Sequence, residues 1–185
     1  MNRKPGAIIE DLYRIPENGK AEIVNGELVV MEPTGFLPAR AAAAIFDSLR
    51  EYERRTGSGF AIPDNVGFVV DLPRRSSFSP DAAFFVGKPS GMKFLQGSPI
   101  FAVEVRSESD YGPAAEQQLE RKRADYFAAG TMVVWDVDLL SDDVVRVYRA
   151  NDSANPTFYR RGEIAEAEPA VPGWTIAVDD LFPDE

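Results

Sequence analysis

Two short apolar-rich stretches, residues 20–24 and 27–31, flank Asn25-Gly26, a dipeptide suited to a two-residue type I′ turn, and so predict a β-hairpin. From Pro38 the period changes. Ile45, Phe46, Leu49 and Tyr52 recur at helical spacing through ARAAAAIFDSLREYERRT, with Pro38 suited to the first turn and Gly57 to the stop. Apolar runs at residues 60–62, 66–72, 81–86 and 100–106, separated by Pro-, Gly- and Ser-rich turns, read as strands. A second helix is predicted over residues 113–129, with proline at its start and Gly130 as a left-handed cap.

Residues 131–136 then form a short apolar run of the kind that fills a central, buried strand. Residues 144–149 alternate as an edge strand would, with Phe158-Tyr159 pairing beside them. In the tail, Trp174, Ile176 and Phe182 are expected to pack back on the body. Hairpin, helix, strands, helix and strand in that order predict an α/β fold. A mixed β-sheet is flanked by helices and preceded by an N-terminal β-hairpin. At 185 residues this is one domain, 1–185, with a core over about 12–138 and C-terminal strands and tail over 139–185.

Composition narrows the chemistry. With no histidine, imidazole triads, HExxH zinc sites and histidine acid–base catalysis are excluded, and with no cysteine so are disulfides and thiolate metal sites. A metal here takes oxygen ligands, which favours Mg²⁺, Mn²⁺ or Ca²⁺ over zinc. No run approaches the length of a membrane span, and no signal-peptide core precedes Glu10 and Asp11, so a cytoplasmic address and no membrane partner are expected. A net charge of −10 argues against indiscriminate nucleic-acid binding, which needs cations to replace condensed counterions. Local basic pairs remain at Arg54-Arg55, Arg74-Arg75, Arg121-Lys122-Arg123 and Arg160-Arg161, each also readable as a solvated patch.

The candidate chemistry starts from Glu104. It interrupts the apolar strand PIFAVEVRS, where an ionised carboxylate costs several kcal/mol, of order, unless a partner offsets it. Strand alternation puts Glu104 and Arg106 on one face and Val103 and Val105 on the other, so the partner is that arginine, a metal ion, or both. Asp81 ends SFSPD at the head of the preceding strand. Should the two strands be neighbours, Asp81, Glu104 and the Val105 carbonyl form a typical oxygen shell for a Mg²⁺ that keeps several waters.

On the second helix Leu119, Lys122 and Tyr126 follow one stripe, which offers Lys122 as an adjacent cation without separating it from Arg123. Glu22, between Ala21 and Ile23, either extends the acidic shell or faces solvent. Asp81 also fits a turn residue satisfied by backbone amides, and Lys122 also fits a snorkelling lysine.

The phrases AEIVNGELVVMEPTG, SFSPDAAFFVG, PIFAVEVRSESD and ERKRADYFAAGTMVVWDVD, in that order, resemble the Uma2 family of restriction-endonuclease-like proteins. The resemblance spans roughly residues 12–138. It is sharpened by the Lys122, Tyr126, Gly130 spacing and by Trp135-Asp136-Val137-Asp138. It implies the PD-(D/E)xK nuclease superfamily, with a restriction-endonuclease-like core and magnesium-dependent phosphodiester cleavage.

By that resemblance Asp81 matches the motif aspartate, Glu104 its second acid, and Glu22 the acid before the Asn-Gly turn. The usual motif lysine is replaced by Arg106, which cannot act as a base at neutral pH, so Lys122 is implied to supply the amine. Two functions follow. One is a DNA endonuclease in which Arg106 steadies the scissile phosphate and Arg74, Arg75 or Arg123 contact the backbone; cutting both strands of a duplex would suit a homodimer. The other is an inactive relative serving as a binding or assembly module, its charges spent on an ion-pair network. A glycosidase using the two acids is a distant third, since Trp135 and Trp174 are better explained as core than as a sugar cleft.

Overall fold

A computed structural model of the chain describes residues 6–15 and 19–183, so residues 1–5, 16–18 and 184–185 of the expected domain lie outside the described residues. The hairpin forms as its sequence predicts. Strands β1 (Ala21–Val24) and β2 (Glu27–Val30) pair antiparallel from Ala21 opposite Val30 to Val24 opposite Glu27. Asn25 and Gly26 both take positive φ, 53° and 74°, as a type I′ turn requires. Ahead of it lies a single helical turn, α1 (Ile9–Leu12).

Helix α2 (Phe36–Thr56) begins two residues before Pro38, because proline is tolerated in a first turn whose N–H groups have no intrahelical acceptor. It ends on Gly57 in the left-handed conformation, as expected. Strands β3 (Phe60–Ile62), β4 (Phe68–Leu72), β5 (Arg75–Phe78), β6 (Ala82–Phe85), β7 (Leu95–Gln96) and β8 (Phe101–Val105) follow. Helix α3 (Pro113–Ala128) then crosses over to β9 (Val133–Val137). After it come β10 (Val145–Arg149), β11 (Asp152–Tyr159), β12 (Ile164–Glu166), β13 (Thr175–Ala177) and a 3-10 turn at Val178–Leu181.

The strands make two main sheets rather than one. The central sheet is mixed, ordered β11-β10-β9-β8-β6-β3, with β8 and β9 parallel through α3 and the other neighbours antiparallel. A second sheet, ordered β2-β1-β5-β4-β7, joins the N-terminal hairpin to the β4–β5 hairpin. The polar RRSS sequence hid β5: with only Phe78 strongly apolar, it reads as a turn although it pairs on both edges.

Two further expectations are corrected. Residues 144–149 were expected at an edge, yet β10 lies between β9 and β11. The outer strand spans eight residues instead of Phe158-Tyr159 alone; it is polar and largely exposed, and it carries Pro156, which suits an edge strand with an irregular register. Residues 131–136 do form a buried central strand, shifted to Val133–Val137.

Alternation divides the central sheet into two cores. Phe84, Phe101, Val103, Val105, Val133, Trp135 and Val137 pack with Ile45, Leu49 and Tyr52 of α2 and with Trp174 and Ile176 of the tail. Phe85, Ala102 and Val134 face the other way, against Phe68, Phe78 and Leu95 of the second sheet and Tyr126 of α3. Glu104, one residue on from Val103, therefore lies beneath α3 and beside the second sheet. Removing the α2 contact should be costly: Ile45 is fully buried, so Ile45→Ala should destabilise by about 2–5 kcal/mol. A urea titration should show a lower midpoint at unchanged slope, and an unmoved midpoint would show that α2 is not docked on this sheet.

Candidate active site

Asp81 stands where Pro80 ends the β6 ladder, and it continues that ladder in two ways. Its N–H donates to the Val103 carbonyl at 3.0 Å, and its Oδ2 accepts the Val105 N–H at 2.7 Å. The N–H and C=O of one strand residue share an edge, so the Val105 carbonyl lies on the Asp81 side of β8. Arg106 N–H points the opposite way, to the Val137 carbonyl at 2.9 Å. Asp81 Oδ1 accepts from Lys20 Nζ at 2.6 Å, and the same ammonium lies 2.7 Å from Asp64 Oδ1.

Glu104 is reached from α3 by the stripe that the sequence offers. Lys122 Nζ donates to Oε2 at 2.8 Å and Tyr126 Oη to Oε1 at 2.6 Å. Tyr126 is held in turn by stacking on Phe78, with ring centroids 4.0 Å apart. Lys122 Nζ also lies 3.0 Å from Glu22 Oε1. Glu22 is only 3% exposed, so of its two readings the inward one holds; it accepts the Ser79 N–H at 2.8 Å and Arg75 Nη1 at 2.6 Å. Arg75 Nε reaches Asp125 at 2.9 Å.

The structure thus brings Glu22, Asp81, Glu104 and Lys122 to one place, where β1, β6, β8 and α3 meet. It does not bring Arg106. That guanidinium makes two bonds of 2.7 Å to Asp136 and two further bonds to Glu116, and it does not pair with Glu104. Arg123, which the helix pattern could not separate from Lys122, turns the other way too. It lies 3.7 Å from Asp136, with its guanidinium 4.0 Å above the Tyr148 ring. Arg75, expected as surface charge, is 6% exposed and committed to Glu22 and Asp125.

Sequence reasoning missed Lys20, Asp64 and Asp125 as members of the site, and missed Asp136 as the acceptor for Arg106. The Lys122–Tyr126 spacing did carry a signal for Tyr126. For Lys20 the only signal was its place two residues before Glu22, and alternation puts both on one face.

Electrostatics follow from burial. Five carboxylates (Glu22, Asp64, Asp81, Glu104 and Asp125) meet three cations (Lys20, Arg75 and Lys122), so the ionised cluster is two charges short of neutral. Burial would raise the Glu22 carboxyl, but Lys122 and Arg75 outweigh it and hold its pKa below the usual range. For Glu104 burial wins. With Asp81 and Glu22 pushing the same way against Lys122, its pKa rises to about 7. Lys122 stays above its ordinary value despite burial because Glu104 and Glu22 face it. Burial and the Glu104 charge push the Tyr126 hydroxyl well up, so it serves as a donor.

The donor set is oxygen throughout, and once Glu104 gives up its proton the missing charge matches one divalent ion. Among the described residues no three Asp, Glu, His or Cys side chains are grouped closely enough to hold a metal by themselves. A hard cation here would therefore rest on fewer carboxylates, completed by a main-chain carbonyl and water. No helix among the described residues is long and apolar enough to cross a membrane.

A mixed sheet with helices against its faces and acids gathered where its strands end is a restriction-endonuclease-like fold. The crystal structure of a putative nuclease belonging to DUF820 from Anabaena variabilis ATCC 29413 superposes with a TM-score of 0.73 over 95% of this chain and 97% of that one, at 13% identity. The Uma2 family, described as "Putative restriction endonuclease", matches residues 9–179, and the chain belongs to that family. No curated protein matches the chain.

The Glu104 shift has a consequence for stability. An acid whose folded pKa, about 7, exceeds its ordinary value of 4.5 contributes stability that is fully present below pH 4.5 and is lost as pH rises to 7. Glu104→Gln, neutral throughout, should gain on the wild type across that window, by up to a few kcal/mol at about 1.4 kcal/mol per unit. Denaturant titrations at pH 4.5, 6 and 8 measure this, and a difference that stays flat with pH rules it out.

Proposed function

We propose that the protein is a divalent-metal-dependent endonuclease that hydrolyses phosphodiester bonds of DNA. The observation that carries this reading is the convergence of Asp81, Glu104 and Lys122, from three separate segments, in a cluster that lacks two positive charges once Glu104 ionises. Asp81, Glu104 and the Val105 carbonyl are the groups that would hold Mg²⁺ or Mn²⁺. Such an ion supplies a more acidic bound water and neutralises charge growing on the phosphate. The family's description as restriction endonucleases supports DNA as substrate.

Within that chemistry the chain's residues divide the work. Glu104 sets the position of the Lys122 ammonium, which also meets Glu22 and has its direction fixed by both. Lys122 orients the attacking water; its raised pKa keeps it charged, so it acts as a donor and not as a base. Tyr126 fixes the second oxygen of Glu104. Glu22 buries the negative charge that holds Lys122 in place, which makes it a positioning residue. Arg106 takes no part in phosphate contact in this reading, because Asp136 and Glu116 occupy its guanidinium. A two-fold pair of chains would present one site to each strand of a duplex.

The module reading is favoured by one observation: no buried side-chain polar atom among the described residues lacks a hydrogen-bond partner, so the charges are self-satisfied without an ion. A melting experiment separates the two. Millimolar Mn²⁺ should raise the Tm and Asp81→Ala should abolish the rise, and DNA cleavage with Mn²⁺ should fall on the order of a hundredfold in Lys122→Met. No Tm shift and no heat of Mn²⁺ binding would leave the module; cleavage unaffected by Lys122→Met would remove that lysine from the mechanism.

A further inference from the structure

Lys20 is the one cation of the cluster that pairs with Asp81. It sits at the end of the hairpin, where its carbonyl accepts the Met31 N–H at 2.9 Å and fixes the backbone from which the side chain extends. That side chain is largely enclosed, with about 16% of its surface exposed. Its ammonium is shared between Asp81 Oδ1 at 2.6 Å and Asp64 Oδ1 at 2.7 Å. Asp81 has its other oxygen on the Val105 N–H, so Lys20 covers the oxygen that does not serve the β8 main chain. Asp64 is different in kind. It lies in the turn after β3, its carboxylate is 42% exposed, and its Oδ1 also accepts the Asn65 N–H at 2.6 Å, which anchors it independently of the site.

We propose that the Lys20 ammonium is a built-in stand-in for the site's divalent cation, held on Asp81 when the site is metal-free and handed to Asp64 when the ion arrives. The inference rests on the metal reading above and adds a competitor to it. An ammonium and a divalent ion both seek the same carboxylate oxygen, and two cations at one oxygen repel, so loading requires Lys20 to leave. Leaving is made easy because Asp64 already holds the same nitrogen. The side chain gives up one of two carboxylates, not its only partner, and needs no new conformation of the backbone. The device keeps a charge-deficient, largely buried cluster folded without metal, at the expense of a weaker affinity for it.

Calorimetric titration of Mn²⁺ into the wild type, Lys20→Met, Asp64→Asn and the double variant tests this. If Asp81 is free of Lys20 only about one part in ten of the time, Lys20→Met binds Mn²⁺ about tenfold more tightly, since apparent affinity scales with the competent fraction. Asp64→Asn removes the charge of the second carboxylate and should weaken binding severalfold in the wild-type background, yet leave it unchanged in Lys20→Met. That non-additivity is the signature of the handover. An Asp64 that acted on the ion only through space would weaken binding equally in both backgrounds, which would overturn the handover.

Binding in Lys20→Met no tighter than in the wild type overturns the inference, while loss of binding in Asp81→Ala would still uphold the metal site. Should the wild type show no binding but Lys20→Met bind, the competition is supported in its strongest form. If neither binds, the metal reading and this inference fall together. Lys20→Gln replaces Lys20→Met if the latter fails to fold. A crystal with Mn²⁺ on Asp81 and the Lys20 nitrogen still hydrogen-bonded to that carboxylate would also be decisive against the proposal.

Discussion

Lys122 reaches from α3 to Glu22 of one sheet and to Glu104 of the other, and its single ammonium ties the two sheets together at 3.0 and 2.8 Å. Around it the packing is apolar: Tyr126 stacks on Phe78, and Ala102 and Val134 face Phe68 and Leu95. Breaking a buried pair by removing one partner costs about 3–5 kcal/mol, because the other charge is left in a medium that cannot solvate it. Here one nitrogen serves two acids, and its loss falls hardest on Glu104, which keeps only the Tyr126 hydroxyl, whereas Glu22 keeps Arg75. Arg75 repeats the pattern from the second sheet, joining Glu22 to Asp125 on α3. The same ionic contacts that define the candidate active site therefore also decide how the hairpin sheet sits on the central one.

This coupling explains why a chain with net charge −10 concentrates acids in its interior. Hydrophobic contact alone can hold two sheets face to face, but it leaves their sliding weakly determined. An ammonium between two carboxylates fixes the offset. The arrangement is costly in solvation, and the cost is visible at Glu104, whose proton is retained up to about pH 7 because burial outweighs the help from Lys122. A better-neutralised cluster would fold more firmly and would have less reason to accept a cation. Stability and charge deficiency are set against one another at the same atoms.

The chain announces some of this and hides the rest, for identifiable reasons. The hairpin, α2, α3 and the buried strands β6, β8 and β9 were legible because periodicity and turn residues agree there, at Asn25-Gly26, Gly57 and Gly130. Glu104 was legible because a carboxylate inside Phe101–Val105 needs a partner. By contrast β5 was hidden, since its polar residues Arg75 and Ser77 are spent on neighbours across the sheet: Arg75 serves Glu22 and Ser77 accepts the Ile23 N–H. A strand that borders the candidate site looked like a loop. Lys20, Asp64 and Asp125 were hidden for another reason, because each is an ordinary surface residue type whose role depends on which segments meet, and pairing between distant segments is not written in local pattern.

The fate of Arg106 shows how far such pattern reaches. Alternation placed Arg106 on the face of Glu104 and so offered it as a partner beside a metal ion. Parallel pairing with β9 changes the outcome, because it sets Asp136 opposite Glu104 in register and so supplies a carboxylate beside Arg106. Two planar groups then meet through two bonds of 2.7 Å, a geometry that lysine could not reproduce. Glu104, released from the arginine, is left to the cation from α3. The departure at position 106 and the presence of Lys122 are thus two sides of one arrangement: the arginine is drawn to Asp136, and the amine beside the acids comes from the helix that joins the two parallel strands.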